Sequence, residues 1–133
     1  MSLNQTALEA KRYGVFSCDS CSTLADAVRQ MVNEDVSALV ITDETGSLSG
    51  IISRTDVMRA AMATAAWQEL PIQDYMSSDV VTVSTEATLR DVAEILLDHR
   101  IHRVVVVRDD NGRTRPLSVI SAADIIYHMS KDL

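Results

Sequence analysis

Residues 99 to 126, HRIHRVVVVRDDNGRTRPLSVISAADII, place the cationic pair His102–Arg103 ahead of four valines, and then set Ser121 and Asp124 three apart before an apolar pair. Ser53 and Asp56 have the same spacing, with Arg54 and Thr55 between them. A strand that ends where a helix begins leaves backbone N–H groups without partners. A hydroxyl beside them can bond a phosphate or ribose oxygen, and a carboxylate can accept both ribose hydroxyls. Arg103, helped by His102 or Arg54, could hold a phosphate, since a charge-assisted hydrogen bond contributes roughly 1.5–3 kcal/mol. The bland readings are equally physical: Ser-x-x-Asp ahead of an apolar run is a capping box that only starts a helix, and His102 and Arg103 could be an exposed strand start. Arg100 and Arg108 read as solvated.

Cys18 and Cys21 are spaced as a redox pair or half a zinc site. The chain has no second cysteine pair, and His99, His102 and His128 lack a zinc finger's spacing. Redox or metal use is therefore a minor alternative.

A chain of 133 residues, 47% of them apolar, is sized for one globular domain with a real core. Its net charge of -7 argues against nonspecific binding to nucleic acid or an anionic membrane, so any anion site must be local. No apolar run approaches the roughly 18 residues of a membrane span, and MSLNQTALEAKR lacks a signal peptide's apolar core. A cytoplasmic location is the expectation.

The elements that must position these residues come from an internal repeat. Placing Leu24 on Leu89, an offset of 65, aligns Thr23-Leu24-Ala25-Asp26 with Thr88-Leu89-Arg90-Asp91 and runs on to Asp43 over Arg108. Past the next turn the offset is 68, and Gly50 to Asp56 lies on Ser118 to Asp124. In this register Cys18 falls on Val83 as a strand core residue, and Cys21 on Glu86 as an exposed one. Each half reads β-α-β-β-α. The first strands are Val15 to Cys18 and Val80 to Val83, by β-branched content. The helices follow the apolar positions Leu24, Ala27, Val28, Met31 and Leu89, Val92, Ala93, Leu96, with Thr23–Asp26 and Thr88–Asp91 as capping boxes. Strands then cover Ala38 to Thr42 and Arg103 to Val107, with turns at Thr45-Gly46 and Asn111-Gly112. A third strand ends at Ser53 or Ser121, where a closing helix starts, and the first such helix is expected to reach about Leu70, before Pro71. Half a chain of this length buries too little surface to stand comfortably alone, so the halves should pack as one α+β body with a pseudo-twofold axis and two related clefts. Met58, Ala61, Met62 and Ala65 read as packing surface, within the pair or in a dimer.

This order of elements, with GIISRTD at Gly50 to Asp56, resembles a tandem pair of cystathionine-beta-synthase (CBS) domains, the Bateman module, over about residues 8 to 132. Gly50 to Asp56 matches the family pattern G-h-h-[ST]-x-x-D, with h apolar, in full; residues 118 to 124 depart from it only at Ser118. HRIHRVVVVRDDNGR is similar to the stretch of the gamma subunit of AMP-activated kinase in which a His-Arg pair reaches a nucleotide phosphate. The resemblance implies CBS repeats at 8-70 and 71-133 and a regulatory, non-enzymatic module. It would bind an adenosine nucleotide (AMP, ATP or S-adenosylmethionine) in a cleft between the repeats and signal by conformational change. The implied nucleotide-binding set is Ile52, Ser53, Arg54, Thr55, Asp56, Val81, His102, Arg103, Ile120, Ser121 and Asp124, with the cleft at Asp56 expected to be the better one and His102 and Arg103 lent to it. No cofactor or metal is implied beyond the nucleotide. The partners implied are a second copy in a homodimer, with Met58, Met62, Ile125, Ile126 and Met129 as surplus apolar surface, and an unidentified effector protein or domain; nucleic acid and membrane are not. A ligand-free dimerisation or interaction scaffold is the alternative.

Overall fold

The computed structural model describes residues 2–10 and 17–133. They fall into two compact units, one drawn from Met1–Val15 and Val81–Leu133 and the other from Phe16–Val80.

In the second of these units, β1 (Ser17–Asp19), β2 (Ala38–Thr42) and β3 (Leu48–Ser53) form a three-stranded sheet in that order, β1 parallel and β3 antiparallel to β2. The side chain of Cys18, expected in a strand core, lies outside the described residues, as do Val15 and Phe16. Helix α2 (Leu24–Glu34) starts on a complete Thr23–Asp26 capping box and ends at Asp35 in the left-handed region (φ 51°), and α3 (Arg54–Ala63) follows β3 without a loop. Leu24, Ala27, Met31, Leu39, Ile41, Ile52, Val57, Ala60 and Ile72 share one buried core. The apolar spacing on α2 and the alternation along β2 and β3 put them there.

Helix α3 ends at Ala63 rather than near Leu70, and Thr64 is already extended. The reason is tertiary: Trp67 and Leu70 pack on the core, and the chain returns to pair Pro71 with Thr23, the Leu24 N–H donating to the Leu70 carbonyl and the Ile72 N–H to that of Ser22. A helix continued to Leu70 could not make that turn.

The other unit repeats the plan with β4 (Thr82–Val83), β5 (Arg103–Asp110), β6 (Arg113–Ser121), α4 (Leu89–His99) and α5 (Ala122–Ser130). Strand β4 is shorter than the expected run from Val80, and β5 runs longer than expected, to Asp110, where Asn111 and Gly112 (φ 54° and 82°) close a tight hairpin of the kind their positive φ values demand. The core holds Leu89, Val92, Leu96, Val104, Val106 and Ile120, together with Ala7 and Ala10 of the short helix α1 (Ala7–Ala10). That N-terminal piece does here what residues 70 to 72 do in the other unit. Thr6 pairs with Thr88, the Leu89 N–H donates to the Gln5 carbonyl, and the Ala7 N–H donates to that of Ala87.

The glycine of GIISRTD has a steric cause. A Cβ on Gly50 would stand 2.6 Å from the Ser77 carbonyl oxygen, and Ile51 and Ser77 exchange backbone hydrogen bonds there. Its counterpart Ser118 is fully buried, and its hydroxyl has no partner among the described residues. Ile125 also departs from expectation: it faces the core, whereas Met58, Met62, Ile126 and Met129 are exposed. Ile125 shares its helix face with the buried His128 three residues on, which turns it inward and leaves Ile126 outside.

Candidate functional site

Among the described residues, each unit contains one junction at which a strand runs directly into a helix. At the end of β3, Ser53 is extended (φ −109°, ψ 167°), and its hydroxyl accepts the Asp56 N–H at 3.3 Å. The Asp56 Oδ2 accepts the Ser53 N–H at 2.8 Å and the Ser53 hydroxyl at 3.0 Å, while Oδ1 meets Arg59 at 3.5 Å. The capping box is therefore present, and it occupies one carboxylate oxygen fully and the other weakly. The Arg54 N–H donates to the Ser37 carbonyl, so of the first three N–H groups of α3 the one at Thr55 has no partner among the described residues. Arg54 and Thr55 are exposed, and the Arg54 guanidinium lies 3.7 Å from Asp35.

The junction of β6 with α5 is built alike. Ser121 is extended, its N–H and hydroxyl reach Asp124 Oδ2 at 2.9 and 3.1 Å, and the Asp124 N–H returns to Ser121 Oγ at 3.4 Å. The Ala122 N–H donates to the His102 carbonyl, and Arg103 stands opposite Ser121 in the sheet. Thus His102, Arg103, Ser121 and Asp124 come together in one unit, as Ser53, Arg54, Thr55 and Asp56 do in the other. The cationic groups differ in origin. Helix α3 supplies Arg54 where α5 has Ala122, and β5 is entered through His102 and Arg103 where β2 is entered through Ser37 and Ala38.

The remaining candidates sit differently. Ile52 and Ile120 point into the two cores with no more than 1% exposure, which leaves only their backbones to a ligand. Val81 is half-buried and its carbonyl accepts the Val105 N–H. Cys21 is an exposed free thiol whose N–H donates to Asp19 Oδ1 in a tight turn, and the described residues contain no group of three or more potential metal ligands.

Two features went unread in the sequence. His128 is buried on α5, its Nε2 donating to the Ala10 carbonyl and its Nδ1 accepting from the Gln5 amide at 3.2 Å, so the ring ties the N-terminal segment to its unit. Only the apolar residues flanking it on α5 hinted at burial. The second feature is a groove of about 430 Å³ between α2 and α3, lined by Val28, Met31, Val32, Val57 and Met58 and closed by the Asp35–Arg54 pair. Its signal was Val32, an apolar residue between the charged Arg29 and Asp35.

No helix of the described residues is long and apolar enough to cross a membrane. The sequence matches the CBS domain over residues 14–63 and 72–131. An inosine-5'-monophosphate dehydrogenase of Nitrosopumilus maritimus is 30% identical over 110 residues, which is 83% of this chain but 21% of the dehydrogenase. A 17.7 kDa protein of Acidianus ambivalens is 25% identical over 103 residues, 77% of this chain and 60% of that one. The chain therefore spans less than two thirds of either relative. Among solved structures, the CBS domain pair of protein MJ0100, in complex with 5-methylthioadenosine and S-adenosyl-L-methionine, superposes with a TM-score of 0.82 at 22% identity, covering 97% of this chain and 98% of that one. With the CBS domain matched twice, each match spanning a strand-to-helix junction of the same architecture, the chain belongs to the CBS domain family and carries a pair of CBS domains.

Proposed function

We propose that this CBS pair is a regulatory module, not an enzyme, that binds an adenosine-containing ligand (AMP, ATP or S-adenosylmethionine), changes conformation on binding, and passes that change to an effector protein as a cytoplasmic homodimer. The observation that carries the reading is the doubled junction, in which a Ser-x-x-Asp box lies beside a cationic group in each unit. At Asp56 a ribose hydroxyl can take Oδ1 by displacing the distant Arg59 guanidinium, without disturbing Oδ2. The Thr55 N–H and hydroxyl complete a polar lip there, and Arg54 can exchange the exposed Asp35 for a phosphate. At the other junction, Asp124 has the same place relative to its helix, and His102 and Arg103 supply the charge that a phosphate needs. The adenosine compounds bound by the CBS pair of MJ0100 support the ligand class. The repeat limits, 8-70 and 71-133, belong to the same proposal.

The test is thermal unfolding across AMP, ATP, S-adenosylmethionine and adenosine, followed by calorimetry on any compound that shifts the midpoint. A ligand at 100 times its Kd adds about 2.7 kcal/mol to stability. A midpoint unmoved by all four at millimolar concentration returns the chain to the scaffold reading.

A further inference from the structure

The two repeats end their hairpins differently. In the first, β2 and β3 stop pairing at Thr42 and Leu48, and Asp43 closes the turn, its Oδ1 accepting the Thr45 and Ser47 N–H groups at 2.8 and 3.1 Å. Position 43 lies over Arg108 in the repeat. In the second, the strands run on through three further pairs, Arg108–Arg115, Asp109–Thr114 and Asp110–Arg113. The shorter hairpin shows that the sheet closes without them.

The charges on this ribbon are poorly chosen for stability alone. Residues opposite one another in an antiparallel ladder share a face, and so do residues two apart along a strand, which puts Arg108, Asp110, Arg113 and Arg115 on one face of the ribbon. Arg108 stands directly opposite Arg115, a like-charge pair that weakens a hairpin. One carboxylate serves the three guanidinium groups, Asp110 Oδ2 taking the Arg115 Nε–H at 2.6 Å. The other acid of the ribbon, Asp109, belongs to the opposite face and accepts the Gly112 N–H at 3.1 Å. That Arg115 hydrogen bond, with the charges of Arg115, Arg108 and Arg113, holds the Asp110 carboxyl below its ordinary value, so all three cations act on one place. Arg108 and Arg113 are exposed and make no ion pair among the described residues.

We propose that this face of the β5–β6 hairpin docks a short acidic segment of the effector protein, one bearing Asp or Glu carboxylates. Asp110 displays the contact within the chain: a carboxylate lying on a guanidinium, which incoming carboxylates repeat on Arg108 and Arg113. The net charge of -7 limits the occupant's length. Cations outnumber anions on the ribbon face but not on the chain as a whole, so a long polyanion such as nucleic acid would run from the ribbon onto a repelling body, whereas a short acidic segment need not. The face lies at the opposite end of β5 and β6 from Arg103 and Ser121, apart from the junction already described.

The inference deepens the effector reading above and rests on it only for the partner's role. Fluorescence anisotropy of labelled hexaglutamate at low ionic strength tests it on the full chain, and since no nucleotide takes part, its failure and that of the ligand reading are separate results. The wild-type chain should bind the peptide, with an affinity that falls as salt rises. Arg108→Glu and Arg113→Glu should each weaken binding about tenfold or more, as the loss of a charge-assisted hydrogen bond would, and Asp110→Asn, which removes the resident carboxylate's charge, should tighten it several-fold. All three positions are on the projecting ribbon, outside the buried core, and an unchanged thermal midpoint checks that the variants fold. Peptide binding absent from the wild type, or equal in wild type and Arg113→Glu, overturns the proposal. Tighter binding of hexathymidylate or pyrophosphate than of hexaglutamate overturns the acidic-protein assignment, as does a change of oligomeric state in Arg113→Glu, which would put a second copy of the chain on the ribbon.

Discussion

Asp56 has two tasks available to its two oxygens, and they can be separated by substitution. Asp56→Asn keeps an oxygen for the Ser53 N–H and so keeps the helix start, but it gives up the charge offered to a ribose. Adenosine and AMP should both weaken about 10- to 150-fold, the equivalent of roughly 1.5–3 kcal/mol. Arg103→Ala should weaken AMP by a similar factor and leave adenosine nearly untouched. Calorimetry with both ligands on both variants reads this, and AMP affinity unchanged in Arg103→Ala would remove the phosphate role. Gly50 and Ser118 hold equivalent positions with opposite expectations. Gly50→Ala pushes a methyl group toward the Ser77 carbonyl and should cost about 1–3 kcal/mol. Ser118→Ala removes a buried hydroxyl that has no partner among the described residues, and should leave stability unchanged or raise it by about 1 kcal/mol in urea unfolding.

At the scale of elements, capping decides where helices begin. The Thr23 backbone N–H and then its hydroxyl, with Arg29 beside them, hold the Asp26 carboxyl below its ordinary value of 3.8. A carboxylate lowered on folding contributes stability that is fully present above the unfolded value and lost as pH falls through the folded one. The start of α2 should therefore loosen only in acid below the usual carboxylate range, and Asp26→Asn should flatten that dependence, as amide exchange of Leu24 to Ala27 can follow. His128 fastens an element instead of starting one. His128→Phe fills the space but leaves the Ala10 carbonyl without its donor, which should cost about 1–3 kcal/mol and raise exchange in the Thr6–Ala10 turn first. The helix starts were legible because Thr23, Ser53, Thr88 and Ser121 each cap through a carboxylate three residues on. The end of α3 was not, because nothing local in Thr64 to Leu70 breaks a helix; the pull of Trp67 and Leu70 onto the core does.

For the whole molecule, the two buried cores predict where damage spreads. Leu89→Ala should cost about 2–5 kcal/mol, and it should raise hydrogen exchange in residues 2–10 along with residues 81–133, since Ala7 and Ala10 share that core. Exchange confined to residues 81–133 would contradict this. The sequence alone determined the CBS repeat, its order of elements and the pairing of each serine with its aspartate, because hydrophobic period, capping and turn chemistry act within a few residues. Local pattern could not say that Ile125 turns inward while Ile126 stays out, that His128 is spent on Ala10 and Gln5, or that Arg103 meets Ser121 across a sheet while the His102 carbonyl takes the Ala122 N–H. Those outcomes depend on contacts between residues from about 18 to more than 100 positions apart, and only close packing of the folded chain selects among them.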